Sequence, residues 1–386
     1  MMISPVISQA DKKAFYKLAW RIYKNDPNWV PPLWPQRKGY LDKQTAFFTH
    51  GEGEFWLAKI GEEVVGSIGT AVDASRNQSS GVKSANFGFF EVLPGGVLEG
   101  YDDEAAYDVA RQMWDHACQW GSARGMTELH GPYSFGANDE SGFLVDGFDT
   151  PTNVFLAYNH RLYPTFAERY GFVKEQDMLA YRYDFSTIDN DVNNGPEIVL
   201  RIAERVRQRH TGAIIRNPRM ENWDREIEIL HKVYNTSLAV LPEHTHLELS
   251  DFREVANSLK PIIDPELVFI AEVNGEAVGF ALGLPNIMEA FAHSNGLQYP
   301  WDYLRFALGR RKITSASFKI LAIEPDYWGW GLETLMIVEI GKALIRKGYT
   351  WADGSLTGED NPQTHKIATR LGAYPYRRYR VYKIKI

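Results

Sequence analysis

The sequence predicts a mixed α/β protein made of two tandem copies of one unit, and three observations carry the prediction. The chain has 386 residues, whereas single hydrophobic cores stop growing at about 250 to 300 residues, so two domains are favoured over one. A strand, a Gly-containing turn and a second strand occur twice, as "WLAKIGEEVVG" (56–66) and "FIAEVNGEAVG" (269–279), which makes one hairpin in each half. The elements that follow each hairpin come in the same order.

In the first half the strand "ANFGFFEVL" (85–93) precedes a helical pattern with Ala106, Ala110, Met113, Trp114 and Ala117 on one face. The strand "MTELHGPYSF", the short helix ending "FAERYGF" and the closing strand "DMLAYRYDF" complete the copy. In the second half "SFKILAI" (317–323) leads to a helix with Leu332, Leu335, Met336, Ile340, Ala343 and Leu344 on one face, stopped at Gly348. Then come "YTWADGSLT", "IATRLGA" and the closing strand "YRRYRVYKIKI". The breaker-rich stretch "STIDNDVNNGP" (186–196) reads as a linker, so the domains are expected at 1–186 and 196–386. Only the second copy carries an extra segment, of roughly 30 residues between 285 and 315, and insertions of that length usually have a use.

Composition narrows the function classes. With 44% hydrophobic and 24% charged residues the chain is an ordinary globular protein, and a net charge of -7 with no basic patch disfavours nucleic acid as a partner. The one cysteine, Cys118, falls in an apolar helical pattern; it cannot form an internal disulfide and fits a reducing compartment. No stretch approaches about 18 uninterrupted apolar residues and no basic-then-apolar leader opens the chain, so a cytoplasmic protein without a membrane partner is expected. His244 and His246 lack neighbouring Cys or paired carboxylates, and no metal site is expected. Nucleophile elbow, Walker loop and Cys-x-x-Cys motifs are absent from the sequence.

The stretch "AIEPDYWGWGLETLM" (322–336) is a strand running to Pro325, a turn with two glycines and the first turn of a helix, which is how a phosphate-binding loop begins. On these residues the chain resembles the GNAT acyltransferase superfamily, over the whole second half and in outline over the first. Ile323-Glu324-Pro325 matches the strand end of that family and Gly331 its central glycine, while Trp328 stands in place of Gln or Arg and Glu333 in place of Gly or Ala. Asn361 and Gly372 match a second motif, but Ala368 occupies the position of the tyrosine that in many members protonates the departing thiolate. The corresponding loop of the first half, "EVLPGGVLEGYDDEAA", lacks the motif and crowds Asp102, Asp103 and Glu104 at the helix start, so this copy is expected to have lost coenzyme binding. A closer resemblance is to bacterial tandem GNAT-like proteins of similar length. It is carried by Gly131-Pro132, Asn138-Asp139-Glu140, Gly147-Phe148-Asp149, Tyr158-Asn159, Gly329-Trp330-Gly331-Leu332-Glu333 and Asp360-Asn361.

The resemblance implies two tandem GNAT-like domains, acetyl-CoA or another acyl-CoA as cosubstrate, and a small-molecule or peptide amine as acceptor. Trp328, Gly329, Trp330, Gly331, Leu332 and Asn361 would bind the coenzyme, and a backbone N–H of Leu321 or Ile323 would stabilise the oxyanion. Glu324, Asp353 and Glu359 are base candidates at strand ends, and Tyr374, Tyr376 or water would protonate the thiolate. Each carboxylate also reads as a solvated strand end, and the loop also reads as an acid-capped turn. Glu333 would cost a bound pyrophosphate about 2 to 3 kcal/mol per unit charge at ~6 Å. Segment 131–160, rich in Gly, Asn, Asp and aromatics, offers Asn138, Glu140, Asp146 and Tyr158 to an acceptor, or is a long connection braced by Asx turns. Two alternatives stay open: a non-catalytic GNAT-fold binding or scaffold protein, and an aminoacyl transferase of the tandem-GNAT peptidyltransferase type.

Overall fold

The computed structural model describes residues 1–135, 140–240 and 247–386. Along the chain come β1 (Met2–Pro5), α1 (Gln9–Ile22), α2 (Trp34–Leu41), β2 (Gly51–Ile60), β3 (Glu63–Asp73), α3 (Ala74–Ser80), β4 (Ser84–Val92), α4 (Asp103–Ser122), β5 (Glu128–Gly131), β6 (Phe143–Asp146), α5 (Leu162–Tyr170) and β7 (Val173–Asp184). The second copy adds α6 (Glu197–Arg209), β8 (Ala213–Arg216), α7 (Trp223–Leu238), α8 (Leu249–Leu259), β9 (Val268–Val273) and β10 (Glu276–Pro285). After α9 (Met288–Phe291) and α10 (Pro300–Gly309) the chain runs through β11 (Ser315–Ile323), α11 (Leu332–Arg346), β12 (Trp351–Gly358), α12 (Pro362–Leu371) and β13 (Tyr374–Lys385).

These elements form two compact units. The first is Met1–Met178 with Met288–Arg310 and Arg377–Ile386; the second is Leu179–Ile287 with Arg311–Tyr376. This division differs from the one expected at 186–196, and hydrogen bonding is the reason. The last strand, β13, runs antiparallel to β5 with Tyr382 opposite Gly131 and Ile384 opposite Leu129, so it completes the sheet of the first unit. The inserted segment joins the first unit too: Trp20 Nε1 donates to Asn295 Oδ1 at 3.1 Å, and Tyr16 Oη lies 3.3 Å from Gly296 O.

In the first unit the strand order is β1-β2-β3-β4-β5-β13, with β6 also on β13. Helix α4 starts where Asp102 accepts from the Ala105 N–H, and it lays Met113, Trp114 and Ala117, all fully buried, on the sheet. Trp114 stacks on Phe90 with ring centroids 4.6 Å apart; burying one such aromatic stabilises by about 1.5 to 3 kcal/mol. In the second unit the order is β7-β12-β11-β10-β9-β8. Leu332, Leu335 and Met336 of α11 pack with Val199, Ala203 and Val206 of α6 on one face. Leu230 and Val233 of α7 cover Ile270, Phe280 and Ala322 in a separate cluster.

Both units interrupt the same strand. Gly283 and Leu282 of β10 face Phe318 and Ile320 of β11, which leaves Lys319 as an extra, bulged residue. In β4 the register passes from Gly88 to Glu91 while β3 moves only from Gly69 to Ser67, so Phe89 and Phe90 bulge, with Phe89 at φ 50. A bulge bends its strand and re-aims side chains. Beside each bulge the parallel pairing stops, after Asn86 opposite His130 in the first unit and after Phe318 opposite Gly354 in the second.

Candidate functional site

In the second unit β11 ends at Ile323, residues Pro325–Tyr327 form a single 3-10 turn, and Gly329 (φ 80) and Gly331 (φ 86) carry the chain into α11. Only glycine adopts such angles without strain. Among the described residues no side chain caps α11, so the N–H groups of its first turn are left for a solvent or ligand acceptor. A Cβ on Gly331 would lie 2.9 Å from Val206 Cγ2, because α6 packs directly over the loop. Trp330 stacks on His210 at 4.1 Å, and Trp328 donates its indole N–H to Ile323 O at 2.9 Å while its ring stays exposed. Glu333 is half-buried in the first turn.

Where β11 and β12 part, polar side chains converge on one carboxylate. Asp353 is fully buried; its Oδ2 accepts from Ser317 Oγ at 2.5 Å, from Ser355 Oγ at 2.5 Å and from Lys319 Nζ at 3.4 Å, and its Oδ1 accepts from Tyr376 Oη at 2.9 Å. Lys319 Nζ also donates to Ser355 Oγ at 2.7 Å. Burial lowers the pKa of Lys319 against the opposing pull of Asp353, because desolvation disfavours the charged form. Two of the sequence candidates, Asp353 and Tyr376, therefore meet directly. Asp353 orders the cluster through the four hydrogen bonds it accepts, and Lys319 is the group with a perturbed proton affinity. Sequence reading passed over Lys319, although a charge inside the apolar run "SFKILAI" is a visible signal.

The backbone beside this cluster is directional. Glu324 N–H donates to Val278 O of the β10 side; since successive N–H groups alternate along a strand, those of Ile323 and Leu321 face the edge that β12 has left. The remaining candidates separate. Glu324 is only partly buried, its carboxyl pKa is raised by burial, and the charges around it are Lys232, Asp326 and Glu276; none of these belongs to the Asp353 cluster. Glu359 is exposed in the turn after β12, where its carbonyl contacts His365 Nε2 at 3.2 Å. Asn361 caps α12 by accepting from the Thr364 N–H, and Tyr374 donates to Asp184 at 2.9 Å. These residues serve helix and strand ends.

The first unit holds a separate cavity of about 120 Å³, walled by Tyr16, Trp29, Phe89 and Phe143 and reached by Arg37, Glu91, Glu140 and Tyr158. At the end of β4, Glu91 Oε2 accepts from Tyr23 Oη at 2.9 Å and lies 2.9 Å from Tyr163 Oη. Burial pushes its carboxyl up to about 7, against the hydrogen bonds of the two tyrosines. The Arg37 guanidinium sits over the Phe89 ring at 4.5 Å. Of the four acceptor candidates, Glu140 and Tyr158 line this cavity, with Tyr158 Oη donating to Asp26 at 2.7 Å. Asp146 is exposed and accepts from the Gly147 N–H, and Asn138 lies outside the described residues. An acid at a strand end reads as solvated in sequence, so Glu91 carries no visible signal; Tyr23, at the C-terminal cap of α1, and Tyr163 of α5 reach it.

The start of α4 contrasts with that of α11. Asp102 accepts from the Ala105 N–H and Asp103 from the Gly95 N–H, so acids occupy the anion-binding end of this helix. Among the described residues no group of three or more His, Cys, Asp or Glu is placed to hold a metal, and His244 and His246 lie outside them. No described helix is long and apolar enough to cross a membrane.

No family model matches the chain. It is 30% identical over 391 residues to the bacterial ceramide synthase of Caulobacter vibrioides, covering 99% of this chain and 97% of that protein. It is 26% identical to protein YghO of Escherichia coli, covering 100% of this chain and 95% of that one. Among solved structures it is similar to a tandem GNAT protein from the clavulanic acid biosynthesis pathway, with TM-score 0.59, 14% identity and coverage of 100% and 98%. It is also similar to a GCN5-related N-acetyltransferase from Sphaerobacter thermophilus, with TM-score 0.53, 11% identity and coverage of 99% and 95%. The two hairpins, the strands parted beside a bulge and the glycine turn opening α11 are thus those of a tandem GNAT fold, and the chain belongs to the family of the bacterial ceramide synthase of Caulobacter vibrioides.

Proposed function

We propose that the protein is a bacterial, acyl-CoA-dependent N-acyltransferase whose acceptor is a long-chain amino alcohol and whose product is an amide lipid of the ceramide class. The relative named a ceramide synthase supports the acceptor class, since a ceramide is the N-acyl amide of such an amino alcohol. The observation that carries the chemistry is the second unit's combination of an uncapped, glycine-entered α11 with strands parted at Lys319. Gly329, Trp330, Gly331 and Leu332 would hold the pyrophosphate of the coenzyme through backbone N–H groups. When bound, acyl-CoA supplies the thioester carbon that bonds to the amine nitrogen as its carbon–sulfur bond breaks. The N–H of Leu321 or Ile323 would take the developing oxyanion charge. Lys319, kept short of its full proton affinity by burial, accepts the proton that the amine loses and holds it for the departing thiolate. Ser355 and Asp353 position its Nζ. Work in the cytoplasm fits an acyl-CoA donor and one unpaired cysteine.

The test uses the purified full chain with a long-chain acyl-CoA and a sphingoid base, following free thiol and the mass of the amide. Lys319→Met should lower kcat at least a hundredfold while coenzyme binding persists. Absence of thiol release with every acyl-CoA and amine tried, alongside tight coenzyme binding, would favour the non-catalytic reading.

A second placement of the base is favoured by Glu91, whose carboxyl near 7 faces a cavity walled by aromatic rings. There Glu91 would take the amine proton. The two placements differ in outcome: loss of activity in Glu91→Gln with Lys319→Met near normal selects the first unit, and the reverse selects the second.

A further inference from the structure

Helix α10 is amphipathic in the reverse of the usual sense. Its inner side is Asp302, Phe306 and Gly309: Asp302 is fully buried and accepts from the Tyr299 N–H, Phe306 stacks on Phe291 at 4.3 Å, and a Cβ on Gly309 would lie 3.1 Å from Ala290 Cα. Its outer side is apolar. Trp301 is 56% exposed, Tyr303 51%, Leu304 63% and Leu308 57%, with Tyr299 at 44% stacked on Trp301. At about 100° per residue, Tyr303, Ala307, Leu304, Leu308 and Trp301 fill an arc of about 160°, and Arg310 and Arg305 border it on its two sides. Arg305 is 58% exposed despite its contact with Asp302, and the chain continues with exposed Arg311 and Lys312.

A water-facing helix normally turns its polar face outward, and contiguous exposed apolar surface marks an interaction site. The aromatic and aliphatic side chains in the middle and cations at the borders match a bilayer surface with anionic headgroups: rings at headgroup level, leucines in the acyl boundary, arginines on phosphates. A groove of about 510 Å³ lined by Trp34, Leu297, Tyr299 and Tyr303 prolongs the apolar surface. We propose that the outer face of α10 docks this protein on anionic membrane surface, lying in the interface without spanning it. The sequence-based expectation of no membrane partner rested on the absence of a span, which an interfacial helix of this length does not need.

The experiment measures co-sedimentation of the full chain, without substrate, with vesicles of phosphatidylglycerol and phosphatidylcholine and with vesicles of phosphatidylcholine alone. Binding is expected to the anionic vesicles, weaker to the neutral ones and reduced by salt. A Trp301→Gln/Leu304→Gln/Leu308→Gln variant, all exposed positions and checked for an unchanged melting temperature, should bind at least tenfold more weakly. Arg305→Gln/Arg310→Gln should lose about fivefold per charge on anionic vesicles only. Equal binding of the triple variant and the parent, or no sedimentation with either vesicle, overturns the proposal. So does self-association that the triple variant abolishes in the absence of vesicle binding, since the face would then seat a second copy. Because no substrate is present, the result is independent of where acyl transfer takes place.

Discussion

Asp353→Asn isolates the charge at the centre of the buried cluster while keeping its shape. In the parent, Lys319 Nζ lies 3.4 Å from Asp353 Oδ2 and 2.7 Å from Ser355 Oγ. The variant keeps one carbonyl oxygen for the hydroxyls of Ser317 and Ser355, turns an amide NH2 toward Tyr376 Oη, which must then accept, and strips the ammonium of its counter-ion. Breaking a buried pair from one side costs about 3 to 5 kcal/mol, and with the two serine hydroxyls still served we expect a loss of about 3 kcal/mol or more at neutral pH. The pH dependence has a definite sign. The pKa of Lys319 is lowered in the folded chain, so between that value and the unfolded value of about 10.4 the unfolded chain binds more protons and stability rises with pH. Removing the Asp353 charge lowers the folded value further and widens this window downward. The variant's deficit should therefore be largest at the low-pH end and narrow by up to about 1.4 kcal/mol per pH unit as pH rises and Lys319 loses its proton. Urea unfolding of both proteins at pH 7, 8 and 9 measures it. A deficit of the same size at all three values would mean that the charge of Lys319 does not depend on Asp353 across this range, and the pairing would be refuted.

Three other outcomes are expected. Glu91 is protonated in the folded chain up to about 7, so stability should fall as pH rises from the ordinary carboxylate range through about 7. Glu91→Gln should abolish that fall in a thermal melt series. Gly331→Ala places a methyl 2.9 Å from Val206 Cγ2 at φ 86, which should cost about 1 to 2 kcal/mol of stability and remove coenzyme binding in calorimetry. Glu333→Ala should tighten coenzyme binding by up to about tenfold as one repulsive charge leaves the helix start; unchanged affinity would mean that the carboxylate turns away from the site.

The repeated architecture was legible because it rests on local patterns. Hairpin turns such as the Asn274-Gly275 step and helix stops such as Gly348 are written in consecutive residues, and the helix faces of α4 and α11 follow a 3.6-residue period. The unit boundaries were not legible. Both closing strands are aromatic-rich, and which sheet edge each one joins depends on ladder partners far away in sequence, such as Gly131 for Tyr382. The site was legible in the same proportion. Asp353 and Tyr376 stand at strand positions that pattern reading locates, whereas Glu91 owes its character to tyrosines 68 residues upstream and 72 downstream. Glu324 and Glu359 share the strand-end signal with Asp353, but their surroundings in space are different.

The two copies explain why chemistry falls differently in each. Ser84 opposite Glu128 and Ser315 opposite Trp351 set the same register, so Asn86 and His130 correspond to Ser317 and Asp353, and Gly88 stands where Lys319 stands. In the first unit the buried polar pair has been turned to structure: His130 Nε2 lies 2.7 Å from Glu128 Oε2 and its Nδ1 lies 3.0 Å from Glu175 Oε1. A Cβ on Gly88 would sit 1.7 Å from Tyr133 O, and Tyr133 N–H donates to Phe87 O at 2.8 Å. Main chain therefore fills the gap beside β4, and glycine is required there for that reason. The second unit keeps a side chain at this place, and a side chain can move where a backbone segment cannot. A thioester that has to enter between parted strands thus meets a closed gap in the first unit and a lysine in the second. In the first unit the cavity at Glu91 is lined by Glu140 and Tyr158 together with Tyr133, the same residue whose main chain fills the gap beside β4.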